Sequence, residues 1–176
     1  VFTGSMDRTV VAWERKGEGK AIGTFEGHED GVSCMCLTDD KQGLITGSFD
    51  RTIVLWTISN REKVRTLRGH TATVYSLDTH GDLLVSGGYD SVSILWNFRT
   101  GRRLRVFRGH ARSVSCVKFS ASNGNSVFSA SWDRTAIRWN VSDGTQICKY
   151  EGGHALRLET LAVTSDETML ITGSWD

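Results

Sequence analysis

No run of about eighteen apolar residues, the least a membrane-spanning helix needs, occurs in the 176 residues of this chain. A transmembrane helix is therefore not expected, and the opening residues do not read as a charged-then-apolar leader. Neither sign of charge is in excess: 21 Lys and Arg stand against 20 Asp and Glu, a formal net charge of +1. That disfavours a nucleic-acid or membrane footprint over the whole surface and permits a local one. Cysteine is scarce. Cys34 and Cys36 put two thiols on one face of a strand, but no second Cys pair or suitably spaced His completes a zinc set, and Cys116 and Cys148 stand alone. Alternation aims all four at packed surfaces, so they read as small, reduced, buried thiols of an intracellular protein, cytoplasmic or nuclear. The sequence carries no Gly-rich phosphate loop, paired acid-base carboxylates, metal motif or cofactor motif, and no helical period.

What the chain does have is repetition. Gly-His pairs stand at Gly27-His28, Gly69-His70, Gly109-His110 and Gly153-His154, with the histidines 42, 40 and 44 residues apart. Asp7, Asp50, Asp90, Asp133 and Asp176 keep step, and the first four are each followed six residues later by a tryptophan, Trp13, Trp56, Trp96 and Trp139. A period near forty residues marks supersecondary units that bury their apolar faces only by stacking. The His-to-Asp interval varies as 22, 20, 23 and 22 while Asp-to-Trp is fixed, so a loop of variable length lies between the Gly-His and the Asp.

The unit from Gly109 shows four strands. Ser113 to Phe119 alternates polar and apolar, the loop Ser120 to Asn125 carries an Asn-Gly turn signal, and Ser126 to Ser131 is a second strand. The turn Asp133-Arg134-Thr135 leads into Ala136 to Trp139, and Thr145 to Tyr150 completes the set. Short antiparallel strands in fours are the make-up of a propeller blade. Only small residues stand three before each Asp, at Gly4, Gly47, Gly87, Ala130 and Gly173, as close backbone approach between blades demands.

These residues carry a resemblance: the chain is similar to a run of WD40 repeats over essentially its whole length. The matching sets are His28, Thr46, Asp50, Trp56; His70, Ser86, Asp90, Trp96; and His110, Ser129, Asp133, Trp139, with His154, Thr172 and Asp176 at the end. The Asp that usually follows the Trp is replaced by Glu14, Thr57, Asn97 and Asn140. The resemblance implies an all-β propeller arc of about four four-stranded blades, cut inside a repeat at both ends. The expected blades are 27–68, 69–108 and 109–152, with partial ones at 1–26 and 153–176. Such rings usually close with seven blades, and a closed ring of four is the alternative.

Ser129, His110 and Asp133 together invite a nucleophile reading, but a comparable set recurs in each unit, tied to a Trp, whereas an enzyme needs one set in a cleft. A buried hydrogen-bonded chain fits better: indole to hydroxyl, hydroxyl to imidazole, imidazole to carboxylate. The resemblance also implies that the residue before each Asp, and those three and five after each His, line the narrow face where a protein or peptide docks. Phe49, Tyr75, Tyr89, Trp132, Trp175 and Arg157 are the candidates, an aromatic rim able to anchor a peptide or surround a cation. Six arginines from Arg99 to Arg112 read as a blunted strand edge, with a phosphopeptide or RNA patch as the rival. The expected role is a non-enzymatic scaffold for protein contacts; the alternatives are a substrate-recognition module of a ubiquitin ligase and an RNA- or chromatin-associated subunit.

Overall fold

In the computed structural model, which describes residues 1–121 and 124–176, every regular element is a β-strand. The first sheet has β1 (Phe2–Gly4), β2 (Val10–Trp13) and β3 (Ala21–Phe25); the second has β4 (Val32–Leu37), β5 (Gly43–Ser48), β6 (Thr52–Thr57) and β7 (Lys63–Arg68). The third is β8 (Val74–His80), β9 (Leu83–Gly88), β10 (Val92–Asn97) and β11 (Arg102–Arg108), and the fourth β12 (Val114–Phe119), β13 (Ser126–Ser131), β14 (Ala136–Asn140) and β15 (Gln146–Tyr150). The last pairs β16 (Leu158–Val163) with β17 (Leu170–Ser174). Each sheet is an antiparallel meander in chain order, which is the blade architecture the repeat implies. Of the Asn-Gly turn signal, Asn123 lies outside the described residues; Gly124 has φ +64.

Two irregularities recur at fixed places. The register slips beside the four tryptophans that follow an Asp by six residues, between Ala12 and Trp13, Leu55 and Trp56, Leu95 and Trp96, and Arg138 and Trp139. It slips again between Val32 and Cys34, Val74 and Ser76, Val114 and Cys116, and Leu158 and Thr160. A bulge bends its strand and re-aims the unpaired side chain, so Ser33, Tyr75, Ser115 and Glu159 leave the alternation of their strands. The hairpin turn after each Asp places Arg8, Arg51, Ser91 and Arg134 at φ 77, 71, 65 and 73. This left-handed conformation is costly outside glycine. It is held by the Asp, whose carboxylate accepts from the backbone two residues on, as in Thr52 N–H to Asp50 (2.8 Å) and Thr135 N–H to Asp133 (2.9 Å).

The sheets stack through their first two strands: β4 packs on β8, β8 on β12 and β12 on β16, while β5 meets β8 and β13 meets β16. The glycine column belongs to this contact. A Cβ on Gly47 would lie 2.8 Å from Val74 Cγ1, and one on Gly87 would lie 2.7 Å from Val114 Cγ1 and 2.9 Å from Val117 Cγ1. First strands also donate across the stack to side chains of the preceding sheet. Val117 N–H reaches Ser76 Oγ at 3.0 Å and Phe119 N–H reaches Asp78 at 2.8 Å, so edge groups that the ladder leaves open are used. The middle strands β6 and β10 are apolar on both faces because sheets cover them on both sides.

Cys116 is buried and Cys34 and Cys36 are half-buried, but Cys148 is exposed, contrary to the alternation argument. It sits on β15, whose five residues are all exposed as the outermost strand of its sheet. Burial pushes the Cys34 thiol up to about 12 and the Cys36 thiol upward as well, so neither supplies a thiolate at neutral pH.

Gly87→Ala is expected to cost about 1 to 3 kcal/mol in denaturant unfolding, because the added methyl overpacks the contact with β12. Val114→Ala in the same chain should offset part of that loss, so the double variant is less destabilised than the two single changes summed; strict additivity would count against this contact.

Candidate functional site

In the three complete sheets each polar set forms one continuous chain. Trp56 Nε1 donates to Thr46 Oγ1 at 2.8 Å, Thr46 lies 2.7 Å from His28 Nε2, and His28 Nδ1 lies 2.8 Å from Asp50. The same order runs through Trp96, Ser86, His70 and Asp90 at 2.9, 2.7 and 2.9 Å, and through Trp139, Ser129, His110 and Asp133 at 2.8, 2.8 and 2.9 Å. The carboxylate only accepts, so Nδ1 carries the proton and Nε2 takes the hydroxyl's. At the ends of the chain the sets are partial: Trp13 donates to Thr3 at 2.7 Å, and His154 bridges Thr172 and Asp176 at 2.9 Å each.

The Ser129, His110 and Asp133 distances are those of a catalytic triad, yet Ser129 is 0 % exposed and its oxygen already accepts from Trp139. The hydroxyl is closed off from solvent. The His70 set, in the third sheet, shows how the parts are coupled. Where the other complete sheets have Ser48 and Ser131 holding the Asp backbone N–H at 3.0 Å, this one has Gly88, and a Cβ there would stand 2.6 Å from both Asp90 Oδ1 and His70 Nδ1. Thr52 and Thr135 each give the Asp a hydroxyl at 2.6 Å; Val92 cannot, and both Asp90 oxygens turn to His70 at 3.0 and 2.9 Å.

Burial by itself would raise Asp50, but hydrogen bonds from Thr52, the Glu29 backbone and His28 outweigh it and hold the carboxyl at about 2. Asp90 and Asp133 are lowered too, each against the same opposing burial, with the His bond the largest favourable cause.

The rim candidates divide into two groups. Tyr75, Tyr89 and Trp132 form a triangle with ring centres 6.0, 5.6 and 5.8 Å apart, joining the third and fourth sheets. Tyr75 reaches this position because it is the bulged residue of β8. Tyr89 is 53 % and Trp175 64 % exposed. Phe49 stands apart: a Cβ on Gly31 would meet it at 3.3 Å and Met6 Sδ at 2.9 Å. Arg157 lies over two rings, its guanidinium 4.7 Å from the Trp132 ring centre and 3.7 Å from that of Trp175, and it pairs with Glu159 at 2.7 Å. The cation on the aromatic surface is thus the chain's own. Ser33 and Ser115 fall in the same column as Tyr75 but turn inward. Ser33 donates to Val74 O and Ser115 to Leu158 O at 2.7 Å, each clipping one sheet to the next.

The arginines from 99 to 112 do not converge on one patch. Arg99 is tied to Asp82 and Asp40, and Arg105 donates to Val141 O at 3.1 Å and to Ser142 O, while Arg112 lies at the other end of the sheets. Asn97 and Asn140, standing where the family has Asp, still cap their loops, accepting from Thr100 and Ser142 N–H at 2.8 Å each. Among the described residues no group of His, Cys, Asp and Glu is placed to hold a metal ion, and no helix is long and apolar enough to cross a membrane.

His110→Ala takes the acceptor from the Ser129 hydroxyl and leaves Asp133 with only Thr135 and the Ala111 N–H, and is expected to lower stability by about 1 to 3 kcal/mol in denaturant unfolding; an unchanged midpoint would contradict the chain's role. The lowered Asp groups contribute stability that is complete above their unfolded value near 3.8 and is lost as pH falls through the folded value, about 2 for Asp50. Tryptophan fluorescence should therefore report acid unfolding beginning below about pH 4, and a His110→Ala chain should begin at higher pH.

The family model described as "WD domain, G-beta repeat" matches residues 19–57, 61–97 and 101–140. No curated protein matches the chain. WD40 repeats generally mediate protein-protein contacts and serve as scaffolds without catalysis of their own. Three repeat matches covering more than half of the sequence, on sheets that each carry the Trp, hydroxyl, His and Asp chain, show that this protein belongs to the WD40 repeat family.

Proposed function

We propose that the protein is a non-enzymatic scaffold that docks a partner peptide on the face carrying Tyr75, Tyr89, Trp132, Trp175 and Arg157. The observation that carries this reading is the aromatic group joining three sheets at one end of the stack, with Tyr89 and Trp175 exposed and Tyr75 and Trp132 half-buried beside them. Large rings in a rigid frame supply contact area at little entropic cost, which is how interface anchors act. The polar chains below are consumed in fastening each sheet internally, and the bulge in β8 leaves Tyr75 free of the ladder. Phe49, beside Met6 and Gly31, would extend the contact surface. An intracellular setting, cytoplasmic or nuclear, is part of the proposal and is supported by four free cysteines.

Trp132→Ala combined with Tyr89→Ala is expected to weaken peptide capture by at least about tenfold, or 1.4 kcal/mol, with a far smaller change in thermal midpoint than His110→Ala produces. Capture and stability would be measured on the same preparations; undiminished capture would remove the proposal.

A further inference from the structure

Between the fourth and fifth sheets, on the same face, lies an open groove of about 590 Å³. Trp132, Trp175, Leu156 and Ala155 provide apolar lining, and Arg112, Arg134 and Arg157 border it. Leu156 is 50 % exposed and Trp175 64 % exposed, so the apolar lining is open to a ligand side chain. The charge around it is lopsided. Asp133 is committed to His110, Thr135 and the Ala111 N–H, and Glu159 to Arg157. Arg112 and Arg134 are exposed, and neither guanidinium has a hydrogen bond or ion pair among the described residues.

We infer that this groove takes an acidic peptide segment, a large apolar side chain seated against Trp132 and Trp175 with Asp or Glu on either side clamped by Arg112 and Arg134. The inference rests on the docking reading above and specifies its ligand. Arg157 decides the sign of the charge. Its guanidinium already covers the π faces of both tryptophans, 4.7 and 3.7 Å from the ring centres, so an incoming Lys or Arg finds the cation site filled and meets three positive charges. A carboxylate meets the same three as partners, two of them with their donors unspent, and each can form a charge-assisted pair. The Trp132 indole N–H is also buried without an acceptor. A peptide fits better than a nucleic acid because three arginines around a short apolar slot do not make the extended basic track a phosphate backbone needs.

The test is selection of a randomised peptide library on the immobilised full chain. Anisotropy titration then follows with a synthetic peptide bearing a central leucine between glutamates, and with its glutamine and lysine counterparts. The expected result is enrichment of Asp and Glu beside a large apolar residue, with the glutamate peptide binding at least about tenfold tighter than the glutamine one. That margin should shrink with added salt and vanish in Arg112→Gln/Arg134→Gln, whose thermal midpoint should match the parent's. If glutamate and glutamine peptides bind alike and both are lost in Trp132→Ala, the acidic preference is overturned and the docking reading stands. If Trp132→Ala changes nothing, the docking reading falls and this inference with it. Preference for the lysine peptide, failure of the glutamate peptide to bind, or binding seen only with a phosphoserine peptide or single-stranded RNA would each overturn the inference.

Discussion

The bond from a histidine Nδ1–H to an aspartate in the following hairpin turn is the contact on which the rest of this architecture depends. It joins the segment entering a sheet to the turn between that sheet's second and third strands, about twenty residues later, and fixes the proton on Nδ1. Nε2 is then left to accept from the Ser or Thr hydroxyl, whose oxygen in turn accepts from the Trp. Each buried donor is thereby used, which matters because an unpaired polar group in this setting costs more than a satisfied one contributes. The same aspartate holds the left-handed residue of the turn, so the polar chain and the hairpin geometry support one another.

Fixing each sheet internally lets the sheets stack on backbone contacts that tolerate no freedom. Glycines on second strands admit the valines of the next sheet, and Ser33, Ser76, Asp78 and Ser115 engage backbone groups across the stack. The third sheet shows that the solution is degenerate. With Val92 in place of Thr and Gly88 in place of Ser, the Asp90 carboxylate rotates onto His70 and occupies the space the missing side chain would have filled. Two changes that would each be costly alone are compatible together.

Much of this was legible in the sequence because hydrogen-bonded partners at fixed separation leave a periodic trace. The Asp-to-Trp spacing of six reappears as the pairing of β5 with β6, which brings Thr46 opposite Val54 and its hydroxyl to Trp56. What was not legible depends on position across the stack. Alternation aimed Cys148 at a packed face, but β15 is the fourth strand of its unit and the outermost of its sheet, where all five residues are exposed and alternation no longer separates two faces. The column five residues after each histidine holds Ser33, Tyr75, Ser115 and Glu159, and it is the bulge that frees them. The serines are short enough to turn back to the neighbouring backbone, whereas Tyr75 reaches the rim. Arg157 could be placed on that rim from its position after His154, but not over Trp132, since that contact joins different sheets and has no sequence period.

Hydrogen exchange of the tryptophan indole N–H groups tests the central claim most directly, because it reads the buried polar chains without altering them. The account predicts that Trp56, Trp96 and Trp139 exchange only on opening of their sheets, with protection approaching that of the slowest backbone amides, while exposed Trp175 exchanges at once. Comparable fast exchange at Trp56, Trp96, Trp139 and Trp175 would mean that the chains are not the internal fastening described here.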